Sequence, residues 1–451
     1  MNTQRLLILV VSILVFANTQ LFGNGGAWQT GVPVTGNASA SDQRKSTNVT
    51  IEDEKLTIDL HQEFAAVEVR YRMKNTGGQV AQDFFFPVER WAESDGETSD
   101  HMLTDLDGYA IAADSAELKF ENVDAKGEKP EPEKDPSWGE FKAGTRLWKK
   151  SSIPFAQGQT REILIRYHSP YAAIQSSVSE DGHSGEAYFR YSLSPAATWK
   201  GPIGKGKITV NYLHPRPEEI AIAKPKDRFK KINATQFEWE FHNLKPTLAD
   251  DIKIIVHPAY DTYPARAYTG NDEGPKFRAD YVIESNRYFF QHSDYDAVAS
   301  STLPPKGEEK YDVVNLKGLE SNHTWAEGAE GDGVGESISL NVNRPLPLDA
   351  ILIMPGYRAM DDTNTDFWGN NNRVAELEVT LNGEHSFTAA IPDEKFGEPY
   401  PIPVRDYSKP VNTVKLTIKA VHRGTATHDT CISLLELRGK LTQKPKIQHA
   451  R

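Results

Sequence analysis

Between residues 46 and 440, apolar side chains recur at every second position in short runs. Nowhere do they sustain the 3, 4 and 7 spacing of an amphipathic helix over a dozen residues. Val67, Val69, Tyr71 and Met73 share one face of an extended segment, while Glu68, Arg70, Arg72 and Lys74 share the other. Asn75-Thr76-Gly77-Gly78 then supplies residues that tolerate tight turns. Phe237, Trp239 and Phe241 alternate with Glu238, Glu240 and His242, and Ile163, Ile165 and Tyr167 form a similar face. Further strands are predicted over 56–60, 83–87, 116–121, 187–193, 207–212 and 252–256. Phe84, Phe85 and Phe86 are expected to be buried, because three exposed Phe would form a sticky patch. Pro87, with no amide to donate, should end its strand or confine it to an edge. Strands with one apolar and one solvated face build antiparallel sheets. The chain is therefore predicted to be all-β, opening with a β-sandwich over 46–258.

The flanks read differently. Leu6 to Phe16 is an apolar run broken only by Ser12, preceded by Arg5 and followed by Ala17, with Val15 and Ala17 at the spacing of a signal peptidase site. It is shorter than the ~20 apolar residues of a spanning helix. Residues 1–17 are accordingly read as a cleaved signal peptide, which implies export to the periplasm or the extracellular space with no transmembrane segment after cleavage. Residues 124–138 are charged and Pro-rich, as an exposed loop would be. Residues 259–280 carry Pro, Gly and aromatics without periodicity, which places a linker over 259–284. Residues 441–451 read as a short basic tail.

Composition narrows the classes. At 451 residues the chain exceeds what a single core usually holds. Its net charge of −12 argues against nucleic acid and against an anionic membrane surface as partners. Cys431 is the only cysteine, so no internal disulfide forms and each domain must hold by core burial. It sits in the apolar run Cys431-Ile432-Ser433-Leu434-Leu435, where a small buried hydrophobe is the simplest role. A reactive thiolate would want a neighbouring His, and His428 is three residues away.

From about residue 285 the text changes character. Ala299 to Leu303 hands over to Tyr311-Asp312 and Asn315-Leu316, then His323-Thr324-Trp325-Ala326-Glu327-Gly328 and Gly331-Asp332-Gly333-Val334-Gly335-Glu336. Pro355-Gly356-Tyr357 follows the strand Ala350 to Met354, and Asn370-Asn371-Asn372-Arg373-Val374 precedes the strand Leu377 to Leu381 and the turn Asn382-Gly383. Val411 to Ala420, Gly424 and Asp429-Thr430-Cys431-Ile432-Ser433 close the series. In this order the motifs over 285–440 resemble the discoidin-type, glycan-binding translocation module of the streptococcal NAD glycohydrolase. The resemblance implies a C-terminal galactose-binding-like jelly roll; it does not reach that toxin's catalytic part, so NAD cleavage is not implied. One departure is that Leu434 and Leu435 precede Glu436, where the family's strand usually continues with Glu. The segment around Leu56-Thr57-Ile58 and Phe84-Phe85-Phe86-Pro87 resembles the sandwich of uncharacterised bacterial envelope proteins and implies no activity.

Jelly rolls often meet ligands on the loops at one end. A sugar site needs flat rings for CH faces and planar polar groups for hydroxyls. Trp368 with Asn370, Asn371, Asn372 and Arg373 supplies both within six residues, and Asp362 lies just upstream. For Asn370 and Asn371 the competing role is turn formation through their own backbone; Arg373 reads as a loop pin and Trp325 as core. Asp361, Asp362, Asn364 and Asp366 could hold a Ca²⁺ ion. They form no EF-hand, since Phe367 and Arg373 stand where that loop requires Gly and Glu.

Enzyme motifs are missing. Glycines 331, 333 and 335 give G-x-G-x-G rather than the dinucleotide fingerprint, and no P-loop, H-E-x-x-H or G-x-S-x-G occurs. Glu327, Glu330, Asp332 and Glu336 could pair for glycoside hydrolysis, but crowded on one Gly-rich loop they more simply solvate it or hold a cation. His422 and His428 suit a loop surface better than a metal. The leading expectation is an exported, non-catalytic bacterial envelope protein that binds a glycan or other cell-envelope component through its second domain, without a cofactor other than Ca²⁺. An envelope scaffold without sugar binding and a secreted hydrolase with a carbohydrate-targeting domain are the alternatives.

Overall fold

The computed structural model describes residues 33–36, 47–90, 106–124, 134–135, 139–140, 146–179, 182–265, 277–284, 286–307, 309–318, 323–358 and 365–447. The expected signal peptide and most of the charged 124–138 stretch lie outside these. The described residues are strands joined by turns, with a single-turn α-helix at Phe367–Asn370 and four short 3-10 turns. The all-β expectation is met.

The first domain is a sandwich. One sheet runs, in spatial order, Lys230–Asn233, Gln236–Leu244, Ile203–Tyr212, Val49–Leu60, Phe64–Asn75, Thr160–Pro170, Asp107–Ala113 and Ala116–Glu117. The facing sheet contains Ala221–Lys224, Ile252–Pro264, Gly182–Ser192, Val80–Arg90, Arg146–Phe155 and Glu121–Asp124. Alternation does what the sequence predicts: Val67, Val69, Tyr71 and Met73 are all buried, and Arg70 and Arg72 are exposed. Phe84 and Phe86 come from the facing sheet to meet them, with the Phe84 ring 6.1 Å from Tyr71 and the Phe86 ring 5.4 Å from Tyr167. Each such buried side chain contributes roughly 1.5–3 kcal/mol of transfer free energy.

Of the two roles expected for Pro87 the edge position holds, and one expected strand is split. The strand Val80–Arg90 does not end at Pro87: it pairs with Arg146–Phe155 throughout, and its second neighbour, Pro33–Gly36, pairs only from Val88 onward. The proline thus sits where one side of the strand has no ladder to feed. The expected strand 116–121 is split into Ala116–Glu117 and Glu121–Asp124. Asp114 and Ser115 adopt positive φ (49° and 71°), which folds Ala116–Glu117 back onto its own sheet. Residues 118–120 then carry the chain across to the facing sheet, where Glu121–Asp124 pairs with 147–150.

The second domain is a jelly-roll sandwich. Arg287–His292, Thr430–Leu441, Leu348–Pro355 and Tyr400–Pro403 form one sheet. Tyr295–Ala299, Ser337–Val342, Thr413–His422, Asn372–Leu381 and His385–Ala390 form the other. Trp325 is fully buried in the core with Tyr295, Ile351 and Leu435, as its core reading requires.

The two sandwiches share a sheet. Ile252–Pro264 pairs with Gly182–Ser192 of the first domain and, through residues 260–264, with Ala279–Glu284. That strand pairs with Arg287–His292, which pairs with the last strand of the second domain. Much of the expected linker 259–284 is therefore strand. Its periodicity is hidden because the register slips between 255 and 260, so successive residues do not alternate cleanly between faces.

Candidate functional site

One end of the second sandwich gathers the segments that precede Asn372–Leu381, the Gly-rich stretch 328–336 and residues 423–429. The Asp366 carboxylate accepts the amide of Gly369 and caps the turn Phe367–Asn370. Gly356 passes beneath with φ +84°; a Cβ there would lie 2.8 Å from Arg373 Cγ and 3.0 Å from Trp368 Cδ1. Only glycine lets the chain come so close.

Arg373 organises this end. Its guanidinium is buried, 5% exposed, and donates in a fork to Asp393 at 2.8 and 3.0 Å. Nη1 donates to the carbonyls of Trp368 and Asn371, both at 3.0 Å. The same group lies 4.1 Å from the centre of the Trp368 ring, so the half-buried indole rests with one face on a fixed cation.

The three asparagines face inward. Asn372 is fully buried: its Nδ2 donates to the His428 carbonyl (2.8 Å) and Asp332 (3.3 Å), and its Oδ1 accepts the Gly424 amide (2.8 Å). Asn371 donates to the Phe367 carbonyl and accepts from the Thr427 hydroxyl, both at 2.7 Å. Asn370 accepts from the Thr425 hydroxyl at 3.1 Å, and its carbonyl takes the amides of Ala426 and Thr427. These amides tie the turn to residues 424–428. Arg373 likewise pins the loop, the role its sequence context suggested.

The acidic residues of the Gly-rich stretch are engaged separately. Glu327 is buried, and burial pushes its carboxyl up; it accepts the amides of Ala329 and Thr430. Glu336 accepts from the Ser300 hydroxyl. Burial works to raise the Asp332 carboxyl, but hydrogen bonds from Asn372 and His428 and the charge of Arg423 outweigh it and hold it below the usual range. Asp361, Asp362 and Asn364 lie outside the described residues; Asp366, last of that set, caps its turn and lies 3.7 Å from Lys395 Nζ. Among the described residues no group of three or more His, Cys, Asp or Glu could hold a metal ion. Cys431 is buried, and burial pushes its thiol up, away from a reactive thiolate. No helix among the described residues is long and apolar enough to cross a membrane.

Sequence reasoning missed Asp393, Thr425 and Thr427, and read Asp332 as a solvating or cation-holding carboxylate rather than as the acceptor for Asn372 and Arg423. Asp393 reaches Arg373 from twenty residues away, across a hairpin whose length no local pattern reveals. Thr425-Ala426-Thr427 carried a faint signal, since alternating hydroxyls beside an Asn-rich run are potential loop ties.

Comparison with known proteins adds the following. Residues 289–438 match the family described as the NAD glycohydrolase translocation F5/8 type C domain. No curated protein matches the chain. Among solved structures, a putative nutrient binding protein from Legionella pneumophila is 12% identical, with 50% of this chain and 71% of that one covered and a TM-score of 0.33. An F5/8 type C domain from Bacteroides fragilis is 15% identical over 33% of this chain and 93% of its own, at a TM-score of 0.25. An M1 zinc metallopeptidase from Deinococcus radiodurans is 9% identical over 58% of this chain, at a TM-score of 0.23, and the match spans about half (51%) of that enzyme. Motif order and family match agree: the second sandwich is similar to a discoidin-like module of the F5/8 type C kind.

Proposed function

We propose that this is an exported envelope protein that binds carbohydrate through its second domain and catalyses no reaction. The observation that carries the reading is Trp368, held over the Arg373 guanidinium at the loop end of a module similar to the F5/8 type C family. A ring immobilised on one face loses little freedom when a sugar packs on its other surface. Asp366, Arg423, Thr425 and His428 add polar groups at this end of the domain. With the amides of Asn371 and Asn372 and the side-chain oxygen of Asn370 occupied internally, stacking carries the affinity, and a single sugar binds weakly.

A glycan array with the full chain tests this. Binding to one class of glycan, weakened at least tenfold by Trp368→Ala, is the expected result. Binding that survives Trp368→Ala combined with Asn371→Ala overturns the site, and an array with no bound glycan overturns the function. The internal use of the Asn371 and Asn372 amides favours one other reading, an envelope protein-interaction module. It predicts a blank array and a co-purifying partner.

A further inference from the structure

A cavity of about 140 Å³ lies at the junction of the two sandwiches, walled by both. Gln62, His214 and His257 come from the first domain, and Leu352, Glu398 and Pro399 from the second. Two of these side chains are more than nine-tenths buried and carry a polar atom with no protein partner: Nε2 of His214 and Oε1 of Gln62. Leaving such atoms unpaired is costly, and their pairing with a bound molecule accounts for them.

Their chemistry defines what would bind. His214 Nδ1 accepts the amide of Arg216 at 3.0 Å. Burial, the largest cause, lowers the affinity of that ring for a second proton, so the neutral ring carries its hydrogen on Nε2 and is a donor. Gln62 spends its Nε2 on the Pro399 carbonyl at 3.4 Å, which leaves its Oε1 as an acceptor. Hydroxyl groups suit both, since a hydroxyl can accept as well as donate.

The charges of the wall are paired with each other, although Nε of Arg438, 3.8 Å from Asp349, makes no hydrogen bond. Arg216 pairs with Glu219 and Glu284, and Arg438 pairs with Glu284. Burial, followed by the like charge of Glu63, pushes the Glu398 carboxyl up to about 8, so it is mostly uncharged at neutral pH. The wall therefore asks for no charge on its guest. Leu352 and Pro399 offer apolar surface for CH groups. Since one water needs ~10–15 Å³ of such space, the cavity suits a molecule of roughly ten non-hydrogen atoms.

We propose that the junction cavity binds one uncharged, hydroxyl-rich molecule of monosaccharide size, with His214 Nε2 donating to it and Gln62 Oε1 accepting from it. This site is separate from the Trp368 loops and stands whether or not those bind glycan.

The test is isothermal titration of the full chain with D-glucose, D-galactose, D-mannose and myo-inositol, with glycine and D-glucuronate as charged controls. At least one neutral probe should saturate. Gln62→Leu and His214→Phe should each weaken it at least tenfold, and Trp368→Ala should leave it unchanged. Leu352→Phe, which fills the space without removing a polar group, should also abolish binding; any one of the three cavity variants that melts as the wild type does suffices to decide. The proposal is overturned if no neutral probe saturates, if the correctly folded cavity variants bind as the wild type does, or if a charged control binds more tightly than every neutral probe.

Discussion

Arg373→Met is the sharpest probe of the loop end of the second domain. The substitution keeps the apolar stem and deletes the guanidinium. Two carbonyls, of Trp368 and Asn371, lose their donor, at about 1–2 kcal/mol each where they stay dry. The stacking on Trp368 is worth about 1 kcal/mol at this burial. The fork to Asp393 adds less, because that carboxylate is 45% exposed and rehydrates when released. The sum is about 3–5 kcal/mol, which for a unit of this size lowers the melting temperature by roughly 10 °C or more. Differential scanning calorimetry of the full chain measures it. Arg373→Lys, which keeps the charge but not the fork, should recover less than half, and Asp393→Asn should cost less than about 1 kcal/mol. A melting temperature for Arg373→Met within about 2 °C of wild type would refute the idea that this guanidinium holds the loops together.

Three more outcomes follow from the geometry. Asn372→Ala strips partners from the Gly424 amide and the His428 carbonyl and should cost about 2–3 kcal/mol in a urea titration; a midpoint unchanged from wild type contradicts the role assigned to it. Burial lowers His292 from its ordinary 6.5 to about 4; the unfolded chain then binds the proton first, so this contribution is complete above pH 6.5 and is lost as pH falls toward 4. At 1.36 kcal/mol per unit that is up to about 3 kcal/mol, and a His292→Gln chain should show a flatter stability profile across that window; equal slopes count against it. Cys431, 1% exposed, should resist a thiol reagent in the native chain and react fully in urea, and fast native labelling would show that its strand opens.

How much could be read from the chain depended on whether the relevant physics was local. Strands such as Phe64–Asn75 were legible because one face is buried and the other wet, and the period survives in the text. The Ala116 to Asp124 region was not, since the chain changes sheets between two short strands. The junction was obscured in the same way: register slips near His257 erase the alternation in a strand that is long and continuous. At the loops, Trp368 and Arg373 were identifiable as neighbours in sequence, but their geometry depends on Asp393, a long-range contact. For Asn370 and Asn371 the text allowed ligand contact or turn formation; Thr425 and Thr427, more than fifty residues on, draw those side chains inward.

The shared strand Ile252–Pro264 has a practical consequence for anyone who would excise the second domain. A fragment beginning at residue 285 leaves behind Ala279–Glu284, whose ladder covers the outer edge of Arg287–His292. That edge would be bare, and it includes Phe289 and Phe290, both buried in the whole protein. Bare apolar edges recruit copies of themselves, so oligomers or surface adhesion of such a fragment would report the cut, and affinities belong to the uncut protein.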